Sequence, residues 1–157
     1  MSKKLFKIIS EDPLVIQGRI ALPYKYYVGP VATRFFTELR DNKKMLGIRC
    51  TQCGITYVPP RETCGRCFSK LEKWTEVGSK GTLLTYTATY YPLDVHPHKE
   101  PIIYGIIRVN GADTGFVHIL GEVNPSEVQI GMRLEAVFRE ERTGNILDIK
   151  YFRPAKD

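Results

Sequence analysis

The chain contains four cysteines in two pairs, Cys50-Thr-Gln-Cys53-Gly54 and Cys64-Gly-Arg-Cys67. Two residues between thiols let a tight turn aim both sulfurs at one point. Two such turns complete a tetrahedron around zinc with Zn–S bonds of about 2.3 Å. Gly54 helps the first turn close. The pattern predicts one structural zinc held by Cys50, Cys53, Cys64 and Cys67. A pair of disulfides would need an oxidising compartment, for which the sequence carries no signal. Iron is the chemical competitor at a tetrathiolate site, and a short ribbon with ordinary polar surroundings favours zinc. Four thiolates fill the coordination shell, so the metal is not expected to act as a Lewis acid. With every cysteine committed to metal, none is left to serve as a thiol nucleophile.

Other reactive side chains form no comparable constellation. His96 and His98 fall in the Pro92–Pro101 loop with no cysteine or acidic cluster beside them, and are expected to be exposed. His118 sits in Phe116-Val117-His118-Ile119, where a half-buried, hydrogen-bonded strand residue is expected. Glu140 and Glu141 are adjacent in an expected strand and would point to opposite faces, solvated and unable to share one bond. The chain has no Gly-rich phosphate loop, Gly-x-Ser-x-Gly elbow or His-Glu-x-x-His site. No active site of its own is expected. One further cluster stands out: Tyr24-Lys25-Tyr26-Tyr27 precedes a segment bearing Arg34, Phe35, Phe36 and Arg40. Interleaved rings and cations suit a ligand with planar and anionic parts. They equally suit packing of a helix onto a ribbon.

The elements that must position these residues follow from punctuation and periodicity. After Gly29-Pro30, Val31, Phe35 and Leu39 recur at spacing four, with Ala32 and Phe36 beside them, which predicts a helix ending near Asn42-Lys43-Lys44. Pro13 and Pro23 confine any earlier helix to the stretch between them. Residues 45–76 hold the cysteines and are too short to fold on a hydrophobic core alone. From residue 77 the period changes to two. Leu84, Tyr86, Ala88 and Tyr90 alternate with Thr85, Thr87 and Thr89, which predicts a half-buried strand. Further strands are expected near 102–110, 114–120, 132–140 and 146–153, broken at Asn110-Gly111, Asn124-Pro125 and Thr143-Gly144-Asn145. Five strands with a short insertion at Pro125–Val128 suit a small Greek-key barrel of the OB type. A sandwich fragment is the structural rival. The expected divisions are 1–44 helical, 45–76 ribbon and 77–157 barrel.

The net charge of +6 is unevenly spread. Residues 1–80 carry 15 Lys and Arg against 7 acids, a balance of +8, and residues 81–157 carry 8 against 10, a balance of −2. A phosphate-bearing partner would therefore be met by the first half. No apolar run approaches the roughly 20 residues of a membrane span. The basic start at Met1-Ser-Lys-Lys is followed by Glu11-Asp12-Pro13 rather than by a leader's apolar region. A cytoplasmic protein is expected.

Several motifs taken together resemble a known family. They are Arg34-Phe35-Phe36-x-x-Leu39, Arg49-Cys50-x-x-Cys53-Gly54, Pro59-Pro60-Arg61-x-x-Cys64-x-x-Cys67, Trp74, and Gly81-Thr-Leu-Leu-Thr-Tyr86-Thr. The chain is similar, from about 24 to 140, to OB-fold proteins with a rubredoxin-like zinc ribbon that accompany thiolase-superfamily enzymes. One departure is Gly65, where relatives often carry proline. The resemblance implies a mainly β fold: an N-terminal helix, the ribbon and a five-stranded OB barrel. It also implies a non-catalytic subunit in a hetero-oligomer with a thiolase, hydroxymethylglutaryl-CoA synthase or related enzyme, holding acyl-CoA and bridging the catalytic chains. Acetoacetyl-CoA formation and thiolysis of an acyl-CoA such as benzoylsuccinyl-CoA are both compatible with that role. Coenzyme A has a ring to stack and phosphates to pair, so Tyr24, Tyr26, Tyr27, Arg34, Phe35, Phe36 and Arg40 become its candidate contacts. The alternative class is a nucleic-acid-binding module, since zinc ribbons and OB folds both occur there. It predicts a basic barrel face, against the −2 balance of the second half.

Overall fold

The computed structural model describes residues 16, 18, 20, 22–90 and 101–156. His96 and His98 lie outside them, as does most of the stretch between Pro13 and Pro23. The helix forms where the apolar stripe places it. It is α1, Pro30–Asn42, with Pro30 in the first turn, Lys43 left-handed at its end, and Phe35 and Leu39 buried.

A three-stranded antiparallel sheet follows, in the order β2-β1-β3, with β1 Met45–Arg49, β2 Thr56–Tyr57 and β3 Lys73–Val77. Five strands then close a barrel: β4 Lys80–Thr89, β5 Ile102–Val109, β6 Gly115–Leu120, β7 Arg133–Phe138 and β8 Ile149–Pro154. Their order is β4-β5-β6-β8-β7, and β7 pairs back onto β4, which decides for the barrel over the sandwich. The closure needs a residue without a side chain at Gly81, which faces both Val109 and Leu134. A Cβ there would sit 2.6 Å from the Arg108 carbonyl oxygen.

Two expectations need correction. The alternation in β4 fails at Leu84, because a bulge between Leu83 and Thr85 sends Leu83 into the core and Leu84 outward. Beyond the bulge Ala88, opposite Ile103, packs against the core, while Tyr86 and Tyr90 are exposed. The last two strands are also shorter at one end than the pattern indicated. Glu140 and Glu141 lie exposed in bends beyond β7 rather than in a strand, and Ile146–Asp148 forms a 3-10 turn. Asn145 and Asp148 cap that turn reciprocally, a local hydrogen-bonding option that a two-residue period does not register.

One core runs through helix, ribbon and barrel: Phe35 and Leu39 of α1 and Met45, Leu46 and Val58 of the ribbon join Leu83, Ile107, Phe116, Leu134 and Phe152. Polar grips reinforce the junction. Asp113 accepts from the Thr56 amide at 2.8 Å and donates its own amide to the Thr56 carbonyl at 2.9 Å. The Thr114 hydroxyl accepts from the Val58 amide and donates to its carbonyl. His118 is buried as a structural residue, stacked on Phe116 and near the carbonyls of Ile119 and Ile146. Burial pushes its pKa below the usual histidine value.

Candidate functional site

The ribbon's two cysteine turns are built alike. In the first, the Gly54 amide donates to the Cys50 carbonyl at 2.9 Å and the Cys50 amide to the Ile55 carbonyl at 2.8 Å. In the second, the Phe68 amide donates to the Cys64 carbonyl at 3.1 Å and the Cys64 amide to the Ser69 carbonyl at 2.9 Å. Both turns point inward, and the four sulfurs lie within 4.8 Å of one another.

That geometry fits a tetrahedral ion. Zn–S bonds of about 2.3 Å put the sulfurs of one tetrahedron roughly 3.8 Å apart, and Cys50 Sγ and Cys67 Sγ are 3.6 Å apart. The donors around them favour thiolate. The Cys53 amide points at Cys50 Sγ (3.3 Å), the Arg66 amide at Cys64 Sγ (3.4 Å), and Ser69 Oγ lies 3.4 Å from Cys50 Sγ and 3.1 Å from Cys67 Sγ. The Tyr57 hydroxyl accepts from the Gly65 amide at 3.2 Å, leaving its proton for Cys64 Sγ, also at 3.2 Å. This bond, with the backbone amides, lowers the Cys64 pKa to about 6, while Cys53, against Cys67 and desolvated, is pushed up to about 12. Four sulfurs so close resist holding four negative charges unless a cation sits between them. The roles of Ser69 and Tyr57 were not read from the sequence. Ser69, two residues past the last cysteine, was the visible signal, whereas nothing in the spacing marks Tyr57.

The second candidate cluster is partly brought together. A cleft of about 380 Å³ lies between α1, the segment before it and a turn of the barrel, lined by Tyr26, Val28, Thr33, Phe36, Thr37, Arg40 and Thr143–Ile146. Thr33, Phe36, Thr37 and Arg40 are one helical face. The opposing turn is rigid. The buried Asp148 carboxylate accepts from the amides of Thr143, Gly144 and Asn145, and Arg142 Nε donates to the Arg40 carbonyl at 2.6 Å. Arg40 itself pairs with Asp41, both exposed, at 2.7 Å.

The remaining candidates lie elsewhere. Phe35 is 1% exposed in the core and offers no face for stacking, so it is withdrawn as a ligand contact. Arg34 lies on another side of the helix, its guanidinium 4.6 Å from the Trp74 ring centre. Tyr24 and Tyr27 are exposed outside the cleft lining, and Tyr24 packs beside Tyr26 at 5.9 Å. Thr33, Thr37, Thr143 and Asn145 were missed, although the first two share the helical spacing of Phe36 and Arg40. On the barrel, a smaller cleft of about 250 Å³ is lined by Pro101, Ile102, Ile119, Leu120, Arg139, Lys150 and Tyr151. No helix among the described residues is long and apolar enough to cross a membrane.

Two family descriptions match the chain: the ChsH2 rubredoxin-like zinc ribbon domain over residues 41–72 and the ChsH2 C-terminal OB-fold domain over residues 74–139. The chain carries both domains of the ChsH2 family. A DUF35 domain-containing scaffold protein of Methanocaldococcus jannaschii is 29% identical over 113 residues, covering 69% of this chain and 77% of the relative. A scaffold protein of the same description from Pyrococcus furiosus is 25% identical over 126 residues, covering 78% and 91%. Among solved structures, a chain of the Ltp2-ChsH2(DUF35) aldolase has the same fold, with a TM-score of 0.61 and 21% identity over 83% of this chain and 98% of that one. A DUF35-family protein of unknown function from Sulfolobus solfataricus superposes with a TM-score of 0.57 and 26% identity, over 69% and 78%. The expected architecture of helix, zinc ribbon and OB barrel therefore stands. Both curated relatives are described as scaffold proteins.

Proposed function

We propose that Cys50, Cys53, Cys64 and Cys67 hold one structural zinc, and that the protein is an accessory subunit of a thiolase-type acyl-CoA enzyme complex. In this reading it helps hold acyl-CoA and bridges the catalytic chains. The observation that carries the ligand half of the reading is the cleft in which Tyr26, Phe36 and Arg40 converge. A phenol, a phenyl ring and a guanidinium around about 380 Å³ suit a planar ring with an attached phosphate. The hydroxyls of Thr37 on α1 and Thr143 on the turn add polar partners, the turn's backbone amides being held by Asp148. The complex half draws on the scaffold-protein relatives and on the aldolase complex in which a chain of this fold occurs.

Arg40 must leave Asp41 to meet a phosphate. The Arg40–Asp41 pair is exposed and therefore weak, so a phosphate held in the cleft can displace Asp41 from the guanidinium. In the complex purified at native abundance, Arg40→Ala is expected to weaken acyl-CoA binding about 10- to 100-fold, less at high salt. Unchanged CoA affinity in Arg40→Ala and Phe36→Ala together would refute the cleft. Lys150, 5.2 Å from the Tyr151 ring, and Arg139 give the barrel one cationic aromatic spot, which a nucleic-acid module would use. Tight oligonucleotide binding that Lys150→Ala and Arg139→Ala abolish would favour that module.

A further inference from the structure

The two cysteine turns differ at one position where their geometry requires the same backbone. The residue after the second cysteine of each must donate its amide back to the first cysteine's carbonyl, and it does so with positive φ: +75° at Gly54 and +60° at Phe68. Glycine adopts that conformation freely, while a bulky aromatic residue there is a true outlier. Packing does not explain the choice, since Phe68 is 80% exposed. The two other non-glycine residues with positive φ among the described residues have tasks visible within the chain. Lys43 ends α1, and Glu122 binds Tyr151 and Arg153. Phe68 has no such task among the described residues. Single exposed apolar side chains are ordinary on protein surfaces; one held in a strained backbone where its sister turn uses glycine is not.

We propose that Phe68 is the anchor by which the second cysteine turn docks into an apolar pocket on the catalytic subunit, an inference that rests on the accessory-subunit reading. Its surroundings state the chemistry of that pocket's rim. Arg66 is exposed and in no ion pair among the described residues, and Arg61 is engaged only by stacking 4.8 Å over the Tyr57 ring. Lys70 pairs with Glu72 at the surface, both highly exposed. A phenyl ring on a segment that also carries the guanidiniums of Arg61 and Arg66, with Lys70 already matched by Glu72, fits a hydrophobic socket bordered by carboxylates. The turn is anchored by two metal ligands and the Thr63–Lys70 bridge, so presenting the ring requires no further ordering.

The test compares wild type, Phe68→Gly, Phe68→Leu and Ile130→Ala, an exposed apolar control on the barrel, for binding to the acyl-CoA enzyme subunit that co-purifies with the native chain. Phe68→Gly is expected to keep its metal and to melt at or above the wild-type temperature, because glycine removes the strain. Its affinity for the catalytic subunit should nonetheless fall about tenfold or more. Phe68→Leu should retain most of the binding, Ile130→Ala all of it, and the wild-type affinity should fall with salt. A wild type that binds while Phe68→Gly binds equally well overturns the anchor alone. A wild type that associates with no acyl-CoA enzyme overturns the accessory-subunit reading, and the anchor with it.

Discussion

Removing one oxygen atom from the ribbon tests how the metal site is held. In Tyr57→Phe the ring remains, with its packing in the ribbon core and the Arg61 guanidinium over its face. Only the hydroxyl that links the Gly65 amide to Cys64 Sγ is lost. That hydroxyl must donate to sulfur, because its oxygen already accepts from Gly65. A hydrogen bond to a charged acceptor contributes about 1.5–3 kcal/mol. The contact to sulfur places this one toward the lower end, a roughly tenfold loss of zinc affinity, the low edge of the 10- to 100-fold range for removing a partner of a metal ligand. The Gly65 amide is on an exposed residue and turns to water, so no buried donor is stranded.

The assay is competition for zinc between the protein and a chromophoric chelator, at matched pH, for wild type and Tyr57→Phe. Melting curves at saturating zinc run alongside. The expected result is a weaker affinity with an unchanged fold when zinc is in excess. An affinity within twofold of wild type would show that the thiolate does not use the hydroxyl. A variant that fails to fold even in excess zinc would show that the hydroxyl serves the ribbon core instead, and either result refutes the reasoning.

Elemental analysis should find one zinc per chain, and chelation or Cys50→Ser should lower the melting temperature of the barrel as well as the ribbon, since Met45, Leu46 and Val58 belong to the shared core; full iron occupancy would contradict the assignment. The isolated chain should show no thiolysis or aldol turnover, measured by release of free CoA, because its four cysteines converge on one point. Gly81→Ala should destabilise by about 1–3 kcal/mol in urea unfolding, as its Cβ would meet the Arg108 carbonyl at 2.6 Å. His118, whose pKa is lowered by burial, should take up its proton more readily in the unfolded chain. Its contribution to stability is therefore present above the ordinary histidine pKa and lost as pH falls below about 6.5 toward the folded value. His118→Phe should flatten that part of the urea-midpoint profile.

What the sequence made legible were features with strong local periods. The Val31, Phe35, Leu39 stripe located α1, and the Cys-x-x-Cys spacing located the sulfur cluster, because both depend on neighbours a few residues apart. Bulges and caps were harder. The shift between Leu83 and Thr85 is imposed by the partner strand β5, and the Asn145–Asp148 capping box replaces strand by turn through side-chain bonds. The aromatic and basic cluster was legible as a composition and not as a site. Helix geometry separates Arg34, over Trp74, from Arg40, in the cleft, and tertiary packing removes Phe35 altogether. Tyr57 and Cys64 meet because β2 lies beside the second turn, a contact between elements that spacing alone does not encode.

A zinc held as proposed would also explain how a strained residue can persist in so small an element. Around the sulfurs the buried large side chains are Ile48, Tyr57 and Leu71, with Ile55 and Trp74 partly buried against them, a small core for holding a turn in an unfavourable conformation. A structural zinc contributes about 10–16 kcal/mol in small ribbons and fingers, against an order of 1–3 kcal/mol for one residue in a sparsely populated backbone region. A zinc bound by the four cysteines would over-determine the second turn, so that a residue other than glycine can follow Cys67. In the first turn, where Gly54 sits beneath Arg49, that freedom is unused. The asymmetry between two otherwise equivalent turns is thus what would be expected if one of them faces a partner and the other faces only solvent.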